Sequence, residues 1–410
     1  MTETGQDTLV ICGHGMVAQR LLEALVGEGQ RRFRRIVVFN GEPAPAYNRI
    51  QLSALLAGET DEPSLTLKPA SWFQAHGITV HHSEPVWAIN RAQRTVTTAT
   101  GRVQPYHTLV LATGARPSAL GLPGEDLPGV MTFRDLQDAR ALIEHSRHCH
   151  RAVVVGGGFL GLEAAEGLRQ RGLDVTVLHR SSHLLNRQLD ETGGQILADA
   201  LRTRGLTVRT GTTPIRFLGR DRVRAVQLTD ETLISTDLVV IATGITPNHE
   251  LAQAAGLACD RGVQVDARLR TSDPQIYALG ECCQFGDQTY GLVEPGYHQA
   301  RALAQTLSDT GSGDDWQTGA LATRLKISGL AIFACGENQP DQDTDSLIWR
   351  DLETGHYRHL LVRDQRLVGA ILVGDTRDGP WYQERIEQGD SIAHIRAQLP
   401  FGKLYCEAAA

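Results

Sequence analysis

Apolar residues along this chain recur in short, unbroken runs that are separated by glycine-rich turns and helical patterns. The runs TLVIC at 8–12 and RAVVV at 151–155 are continuous rather than alternating, which is typical of strands buried on both faces of a parallel sheet. Each is followed by glycines and then by apolar residues at helical spacing, in QRLLEAL at 19–25 and LEAAEGLRQRG at 162–172. The pattern predicts an α/β fold with two strand–turn–helix units.

The first glycine turn, GHGMVA at 13–18, has the spacing of a dinucleotide-binding fingerprint. Gly13 would make the tight turn, Gly15 would let a pyrophosphate approach the backbone, and the small Ala18 would let the helix pack against the strand. The helix N-terminus would then bind phosphates through its free N–H groups and its dipole. Taken alone this signal is weak, and a glycine turn without a ligand remains the alternative.

The same order of elements recurs further along the chain. GGGFLG at 156–161 has glycine at all three fingerprint places, and DVTVLH at 174–179 supplies the next strand. Two near copies of a buried strand that ends in Thr-Gly follow the two fingerprints, LVLATGARP at 109–117 and LVVIATGITP at 238–247. The repetition predicts two Rossmann-like dinucleotide-binding domains in one chain.

Composition narrows the class of protein only modestly. The chain has 410 residues, 41% hydrophobic and 21% charged, with a net charge of −7, so no basic surface for nucleic acid is expected. No secretory signal pattern and no apolar run of membrane-spanning length is present, which favours a cytoplasmic protein without a membrane partner. The seven cysteines are scattered, without a CxxC pair, so we expect reduced thiols and no metal site.

The succession of fingerprint, ATG, fingerprint, ATG and YALGE at 277–281 resembles the two-dinucleotide-binding flavoproteins of the pyridine nucleotide–disulfide oxidoreductase superfamily. More narrowly, EPAPAYNRIQLS at 42–53, GLVEPGYHQA at 291–300 and LKISG at 325–329 resemble the reductase portion of bacterial assimilatory nitrite reductase large subunits. They are also similar to electron-transfer components of nitrate reductases. The resemblance implies FAD in the first unit and NADH or NADPH in the second.

The resemblance also implies a division into three domains. Residues 1–120 and 245–315 would form a discontinuous FAD-binding domain, and residues 121–244 the NAD(P)H-binding domain. Residues 318–410 would form a small α+β domain at an interface, with a homodimer left open. Core packing is the expected role of Trp381 and Tyr382, and shielding of the flavin or docking of a partner is the alternative.

By resemblance, FAD would be bound by Gly13, Gly15, Met16, Glu42, Arg49, Val86, Ala112, Thr113, Gly114, Gly280 and Glu281. Glu42 would accept hydrogen bonds from the adenosine ribose, although Asn40 is a rival because Gly41 stands where relatives often have a second acid. Arg49 would pair with a phosphate, a task that suits its planar guanidinium. The backbone amide of Val86 would contact the adenine.

By the same resemblance, NAD(P)H would be bound by Gly156, Gly158, Phe159, Leu160, Gly161, Glu163, His179, Arg180, Arg187 and Gly244. Glu163 would lie near the nicotinamide, and the alternative is a first-turn acid that the helix dipole favours. Hydride transfer between cofactors needs no side-chain acid or base, so no catalytic residue is assigned.

The end of the strand VTVLHR at 175–180 bears on which nicotinamide coenzyme binds. It lies about 20 residues past Gly156, where a carboxylate would accept from the free ribose hydroxyls of NADH. Here His179 and Arg180 stand instead, and Arg187 follows in the same loop. Cationic donors suit a phosphate, so we expect NADPH to be preferred, or both coenzymes to be used. The alternative is that all three residues are only solvated.

Missing cysteines exclude several chemistries of the superfamily. Residues 42–60 contain no cysteine, and no CxxC occurs, so a redox-active disulfide or thiol is not expected. No cysteine cluster could hold an iron–sulfur centre, so this chain is not expected to reduce nitrite by itself. The leading hypothesis is an FAD-dependent NAD(P)H oxidoreductase that passes electrons to a separate nitrate or nitrite reductase. Two alternatives are a rubredoxin or ferredoxin reductase and a non-catalytic, flavin-bound redox-sensing or interaction protein.

Overall fold

The computed structural model describes residues 7–27, 33–308, 316, 322–327, 329–351 and 353–407. It divides into two compact units. The first consists of Met1–Gln51, Asp61–Arg116 and Ile245–Thr318, and the second of Leu52–Thr60, Pro117–Gly244 and Gly319–Ala410, apart from the residues left undescribed. Within the described ranges, no helix is long and apolar enough to cross a lipid bilayer.

Strands and helices alternate through most of the chain. The strands are β1 (Thr8–Cys12), β2 (Arg35–Phe39), β3 (Ile78–His81), β4 (Val86–Asn90), β5 (Thr95–Thr98), β6 (Val103–Pro105), β7 (Thr108–Leu111), β8 (Ala115–Pro117), β9 (Val130–Thr132), β10 (Arg151–Val155), β11 (Asp174–Leu178), β12 (Thr207–Arg209), β13 (Pro214–Gly219), β14 (Val223–Leu228), β15 (Leu233–Ser235), β16 (Leu238–Ile241), β17 (Ile245–Pro247), β18 (Val263–Val265), β19 (Ile276–Ala278), β20 (Cys283–Phe285), β21 (Gln288–Thr289), β22 (Ala322–Ile327), β23 (Leu330–Gly336), β24 (Asp345–Asp351), β25 (His356–Arg363) and β26 (Arg366–Val373). The α-helices are α1 (Met16–Gly27), α2 (Leu52–Ala57), α3 (Glu62–Leu65), α4 (Ala70–Ala75), α5 (Leu136–Ser146), α6 (Phe159–Gln170), α7 (Glu191–Thr203), α8 (Glu250–Ala254), α9 (Val293–Thr306), α10 (Gly379–Gln388) and α11 (Lys403–Glu407). Short 3₁₀ turns cover Arg49–Gln51, Gly280–Cys282 and Leu399–Phe401.

The first unit is built on a parallel sheet with the strand order β19-β7-β1-β2-β3. Every residue of β1 and β7 is buried, as their unbroken apolar runs predict. Helices α1 and α9 pack so closely that a Cβ on Gly296 would lie 2.5 Å from a methyl carbon of Val17. Two small sheets, β4-β5-β6 and β18-β20-β21, complete the unit.

The second unit contains a parallel sheet of the same pattern, in the order β12-β11-β10-β16-β9. Its central strand β10 is buried from Ala152 to Val155. Helix α2 packs on α6, where a Cβ on Gly167 would lie 3.0 Å from the side chain of Leu56, and Arg171 donates to the Leu56 carbonyl at 3.2 Å. The helix that follows the second glycine turn, α6, thus packs against a helix from a distant part of the sequence.

The C-terminal part of the second unit is an antiparallel sheet in the order β22-β23-β26-β25-β24, joined by α10 and α11. Trp381 and Tyr382 are buried in its core with Phe333, Leu360 and Leu372, and the Tyr382 hydroxyl donates to the carbonyl of Leu399 at 2.7 Å. Core packing is therefore confirmed as the role of these two aromatic residues.

The predicted fold class is confirmed: two Rossmann-like sheets are accompanied by a small C-terminal α+β part. The division into three domains stays a prediction. The compact units differ from it in grouping residues 52–60 and the C-terminal sheet with the second nucleotide-binding fold. The seven cysteines, including the adjacent Cys282 and Cys283, form no disulfide.

Candidate functional site

The first glycine turn joins β1 to α1 and is fixed to neighbouring strands by backbone hydrogen bonds. The N–H of Gly13 donates to the carbonyl of Phe39 at 2.8 Å, and the N–H of Ala112 donates to the carbonyl of Cys12 at 2.8 Å. A Cβ on Gly13 would lie 2.1 Å from the Ala112 carbonyl oxygen, so no side chain fits there. Around a Cβ on Gly15 there would be no atom within 4 Å among the described residues. The turn is closed toward the protein and open where a pyrophosphate would approach.

The second glycine turn repeats this geometry between β10 and α6. The N–H of Gly156 donates to the carbonyl of Leu178 at 2.8 Å, and a Cβ on Gly156 would lie 2.2 Å from the Ala242 carbonyl oxygen. Gly158 has open space around it, as Gly15 does, in the part of the chain that the structure describes. A Cβ on Gly161 would lie 2.0 Å from the carbonyl of Gly156, so helix and turn are in close contact. Both turns therefore fit the phosphates of a dinucleotide.

The helix that follows the second turn begins without a side-chain cap. Its N-cap residue is Gly158, and no side chain accepts a hydrogen bond from the first-turn N–H groups. The half-buried Phe159 and Leu160 are the first residues of α6. Uncapped N–H groups beside an open glycine leave donors for an anion. Ala18, at the corresponding third place of the first turn, is buried, so a methyl group fits there.

Glu42, Arg49 and Met16 lie together in the first unit. The guanidinium of Arg49 donates to the Glu42 carboxylate, and the Tyr47 hydroxyl donates to the same carboxylate at 2.8 Å. The backbone N–H of Arg49 donates to the Met16 sulfur at 3.3 Å. The structure thus brings together Met16, Glu42 and Arg49, which were expected to bind FAD. It pairs Glu42, the expected ribose acceptor, with Arg49, the expected phosphate donor. A nucleotide that engages either group would have to replace that ion pair.

The rival ribose acceptor, Asn40, is engaged within its own loop. Its side-chain amide donates to a loop carbonyl at 2.8 Å, and its side-chain oxygen accepts from the N–H of Glu42 at 3.1 Å. The carbonyl of Asn40 also accepts from the N–H of Glu84 at 2.9 Å, two residues before Val86 begins β4. Asn40 shapes the loop and bonds to the segment that leads into Val86, which favours Glu42 as the ribose acceptor.

The first Thr-Gly turn is hydrogen-bonded to Asn248, the residue that directly follows the second copy of the motif. The Thr113 hydroxyl donates to the carbonyl of Asn248 at 2.7 Å, and the Asn248 amide donates to the carbonyl of Thr113 at 2.9 Å. The N–H of Asn248 donates to the carbonyl of Gly114 at 2.9 Å. These bonds fix the backbone that was expected to pack on FAD, from Ala112 to Gly114.

Glu281 lies beside the same turn. A Cβ on Gly114 would lie 3.9 Å from Oε2 of Glu281, so the two predicted FAD residues are neighbours. The preceding Gly280 has a φ of +78°, and its N–H donates to the side chain of the buried Gln299 at 2.7 Å. Gln299 therefore fixes the backbone turn that carries Glu281.

Glu163 lies in the first half of α6 and forms a hydrogen bond with Ser53 of α2. Burial raises the pKa of Glu163 to about 7, and the Ser53 hydrogen bond offsets this only in part. Among the described residues, no charged side chain contributes to the shift. The first turn of α6 contains no acidic residue, so Glu163 lies beyond the position at which the helix dipole would favour its carboxylate. Glu163 is therefore held as a half-buried acid that titrates near neutrality.

His179 uses both ring nitrogens inside the protein. Nδ1 accepts from the N–H of Gly157 at 3.1 Å, so Nε2 carries the proton and donates to the side-chain oxygen of Asn186 at 3.2 Å. Burial lowers the pKa of His179 despite the Asn186 hydrogen bond, which favours the neutral ring at pH 7. The ring connects the glycine turn to the following loop, and it is neutral in this arrangement. That His179, Arg180 and Arg187 contact a phosphate stays a prediction.

Arg180 and Arg187 are exposed on that loop. Within the described residues, no hydrogen bond or ion pair engages either guanidinium. No carboxylate stands at the end of β11, where His179 follows Leu178. The described site therefore has two exposed cations and no acid at the place expected to contact the ribose. Gly244, in the second Thr-Gly turn, has a φ of +137° and open space around it.

Residues 8–305 match the pyridine nucleotide-disulphide oxidoreductase family, and residues 322–390 match the rubredoxin NAD⁺ reductase C-terminal domain. The chain belongs to the pyridine nucleotide-disulphide oxidoreductase family. Members of this family bind FAD and NAD(P)H, and the chain has a glycine turn that fits each of the two dinucleotides. The predicted family and cofactor class are thereby confirmed.

Individual relatives point to electron-transfer reductases. The chain is 38% identical over 375 residues to a nitrite reductase [NAD(P)H] of Bacillus subtilis (strain 168), covering 92% of this chain and 46% of that protein. It is 39% identical over 373 residues to the assimilatory nitrate reductase electron transfer subunit of the same organism, covering 91% and 48%. A solved ferredoxin reductase from Rhodopseudomonas palustris has a TM-score of 0.89 at 28% identity, covering 98% and 100%. The chain spans about half the length of the two Bacillus relatives.

Several residues that support the site were not expected from the sequence. Ser53 contacts Glu163, Asn248 clasps Thr113, Gln299 fixes Gly280, and Asn186 receives the His179 proton. Gln299 stands within the segment 291–300 that resembles relatives, and Asn248 directly follows the repeated motif at 238–247, so these positions were the available signal. Ser53 ends the segment 42–53, which also resembles relatives, whereas Asn186 lies in no pattern that distinguishes it.

Proposed function

We propose that the chain is an FAD-dependent NAD(P)H oxidoreductase that passes electrons to a separate redox protein, a nitrate or nitrite reductase. The observation that carries the proposal is the pair of glycine turns, each with a closed first glycine and an open middle glycine. The relatives in nitrite and nitrate reduction support the choice of acceptor.

FAD, when bound, supplies the chemistry of accepting a hydride and releasing single electrons, which no side chain of the chain supplies. The chain's own residues bind and orient it. Gly13, Gly15 and Met16 would line the pyrophosphate, and Arg49 would exchange its Glu42 partner for a phosphate. Glu42 would then be released to accept from the ribose.

Three further segments would hold the remainder of FAD. Ala112, Thr113 and Gly114 would pack on it through backbone that Asn248 clasps. Glu281 lies against Gly114 and would bind the ribityl or phosphate side. Val86 would contact the adenine through its amide.

The nicotinamide coenzyme would bind at the second glycine turn. Gly156, Gly158 and Gly161, with the start of α6 at Phe159 and Leu160, would bind its pyrophosphate. Gly244 would leave room beside it, since a Cβ there would meet no described atom within 4 Å. Glu163 would lie near the nicotinamide and hold or release a proton at its carboxylate near neutral pH.

NADPH is the proposed coenzyme, with NADH as a weaker substrate. Arg180 and Arg187 are exposed, and a 2′-phosphate would provide the anion that they lack in the described structure. The neutral His179 would neither attract that phosphate by charge nor repel it, as a carboxylate would. The two arginines therefore decide the preference in this account.

A second candidate function is the reduction of rubredoxin or a small ferredoxin. It is favoured by the match of residues 322–390 to the rubredoxin NAD⁺ reductase C-terminal domain. The full-length likeness to a ferredoxin reductase supports it as well. Both functions share the flavin step and differ only in the acceptor.

Steady-state assays with purified acceptors test the proposal. The FAD-loaded protein is supplied with NADPH and mixed in turn with a nitrate reductase, a nitrite reductase, rubredoxin and a ferredoxin, and acceptor reduction is followed. Reduction of a nitrate or nitrite reductase is expected. Fast transfer to rubredoxin or ferredoxin, with none to the nitrogen-oxide reductases, would establish the second function. Transfer to none of them would favour a redox-sensing protein.

A further inference from the structure

The segment 179–190, between β11 and α7, is anchored by the C-terminal sheet at its far end. Asp190 is the N-cap of α7, where one carboxylate oxygen accepts from the N–H of Gly193 at 3.0 Å. The other oxygen accepts from the Tyr357 hydroxyl and from Nδ1 of His359 at 2.8 Å. All of these side chains are buried. The Asp190 carboxylate therefore connects segment 179–190 and helix α7 to strand β25 through hydrogen bonds.

Strand β25 supplies both donors because its side chains alternate between the two faces of the sheet. Tyr357 and His359 are two residues apart, so their side chains lie on the same face of the strand. His359 is oriented further by Ser346 of the neighbouring β24, whose hydroxyl lies 3.0 Å from Nε2. Burial alone would raise the pKa of Asp190, but the hydrogen bonds from His359, Tyr357 and Gly193 lower it. The carboxylate is thus held ionised and fully bonded.

The middle and near end of the segment are fixed as well. The carbonyl of Asn186 accepts from the side-chain amide of Asn338, in the C-terminal part, at 3.4 Å. The side chain of Asn186 accepts from the His179 ring, and that ring accepts from the N–H of Gly157 in the glycine turn. The N–H of Leu185 donates to the carbonyl of Gly157 at 3.0 Å. A continuous hydrogen-bonded path runs from the C-terminal part to the glycine turn.

The exposed arginines stand on this fixed segment. Arg180 follows His179 directly, and Arg187 follows Asn186. The residues that precede them are hydrogen-bonded, although neither guanidinium is bonded within the described residues. Fixing the backbone reduces the conformational entropy that the two side chains lose when they bind an anion.

We propose that Tyr357 and His359 are positioning residues for the nicotinamide coenzyme: by holding Asp190 they fix segment 179–190, and with it Arg180 and Arg187, for binding of the 2′-phosphate. This inference rests on the proposed function, since it takes the second glycine turn as the coenzyme site. It assigns to the C-terminal part of the chain a role in coenzyme affinity, apart from any role in acceptor binding.

The test compares two variants that each remove one buried hydroxyl from the same part of the fold. Tyr357→Phe removes a donor to Asp190, whereas Tyr382→Phe removes the donor to the Leu399 carbonyl and leaves segment 179–190 untouched. Binding of NADP⁺ and of NAD⁺ to the FAD-loaded protein is measured by titration calorimetry, without turnover. Tyr357→Phe is expected to raise the Kd for NADP⁺ roughly fivefold, since a hydrogen bond to a charged group is lost, and the Kd for NAD⁺ much less. Tyr382→Phe is expected to change neither.

A second pair of variants separates positioning from packing. His359→Asn keeps an amide nitrogen close to the place of Nδ1 and is expected to keep the Kd for NADP⁺ within about twofold. His359→Leu removes the donor and is expected to match or exceed the loss in Tyr357→Phe. Hydrogen–deuterium exchange provides a readout that needs no coenzyme. Amides of residues 180–189 should exchange faster in Tyr357→Phe and His359→Leu than in the other variants.

The outcomes distinguish the inference from the proposed function. Equal Kd values and equal exchange in Tyr357→Phe and Tyr382→Phe would overturn the inference alone. Absence of binding of both coenzymes to the wild-type protein would overturn the proposed coenzyme site, and the inference with it. A selective loss of NADP⁺ binding, rescued by His359→Asn, supports it.

Discussion

At the scale of single residues, charge is distributed in an unusual way at the proposed coenzyme site. Glu163 is a half-buried acid that receives only a serine hydrogen bond, and its pKa is raised to about 7. Arg180 and Arg187 are exposed cations whose guanidinium groups form no hydrogen bond or ion pair with the described residues. The raised pKa predicts a pH-dependent stability, and the two exposed arginines predict a preference between NADPH and NADH.

Glu163→Gln is expected to make thermal stability less dependent on pH. The pKa of Glu163 is raised from 4.5 to about 7 by burial, so the folded chain binds this proton more tightly than the unfolded chain. Stability from this group is therefore fully present below about pH 4.5 and is lost as pH rises through about 7. Glutamine resembles the protonated acid. The Tm of the variant should match that of the wild type at pH 5 and exceed it by roughly 3 °C or more at pH 8.

Glu191→Gln is the matched control for this change, because Glu191 is an exposed acid in the first turn of α7. Its Tm difference from the wild type should be small and similar at both pH values. A Glu163→Gln difference that is the same at pH 5 and pH 8 would show that burial does not govern this carboxyl group.

Arg180→Ala and Arg187→Ala are each expected to weaken the binding of NADPH more than the binding of NADH. A charge-assisted hydrogen bond to the 2′-phosphate is lost in each variant, so the KM for NADPH should rise about tenfold while that for NADH changes little. Arg220→Ala, an exposed arginine between β13 and β14, is the control. An equal rise of KM for both coenzymes would mean that the arginines contact a part that NADH and NADPH share.

At the scale of elements, each glycine turn combines one glycine that has no room for a side chain with one glycine that has open space around it. Gly13 and Gly156 have positive φ angles and lie against a carbonyl oxygen, so they are needed for the fold itself. Gly15 and Gly158 have open space around them in the described structure, so the protein does not need glycine there. Only a ligand that approaches the backbone gives a reason for glycine at those two places.

Gly15→Ala and Gly158→Ala should therefore keep the fold and lose different ligands. Gly15→Ala is expected to lower the FAD content of the purified protein, as measured by flavin absorbance. Gly158→Ala is expected to retain FAD and raise the Kd for NADP⁺ about tenfold, because a methyl group meets the pyrophosphate. Gly27→Ala, at the open end of α1, is the control and should change neither. Loss of FAD in Gly158→Ala alone would reverse the assignment of the two turns.

The elements themselves were predictable from local patterns, and the contacts between distant segments were not. Unbroken apolar runs identified β1 and β10, and glycine spacing identified the turns, because both depend on residues close in sequence. Ser53 and Glu163, or Asp190 and Tyr357, meet only through tertiary packing, and no single pattern contains both members. The protonation of the His179 ring could not be read from the sequence for the same reason, since Gly157 and Asn186 fix it.

At the scale of the whole molecule, two nucleotide-binding folds occur in one chain whose seven cysteines form no disulfide. Burial raises the pKa of Cys12 to about 12 and also raises the pKa of Cys282 and Cys283. Thiolates are the reactive form, so these thiols are expected to be inert. Electrons would then leave through FAD and not through a disulfide.

Alkylation of the native protein with iodoacetamide should therefore leave flavin reduction by NADPH within about twofold of its untreated rate, because buried thiols with raised pKa values react slowly. Labelling under denaturing conditions, read by mass spectrometry, confirms that the reagent is active. Loss of flavin reduction after labelling of one thiol in the native protein would reveal a redox cysteine that the account does not contain.

The central claim is that this chain transfers a hydride from a nicotinamide coenzyme to FAD and prefers NADPH. Anaerobic stopped-flow mixing of the FAD-loaded protein with NADPH and, separately, with NADH tests it most directly, with flavin absorbance as the signal. The account predicts complete bleaching by NADPH within seconds and a lower kcat/KM for NADH. A much higher kcat/KM for NADH would contradict the coenzyme assignment, and a flavin that neither coenzyme bleaches would contradict the enzyme itself.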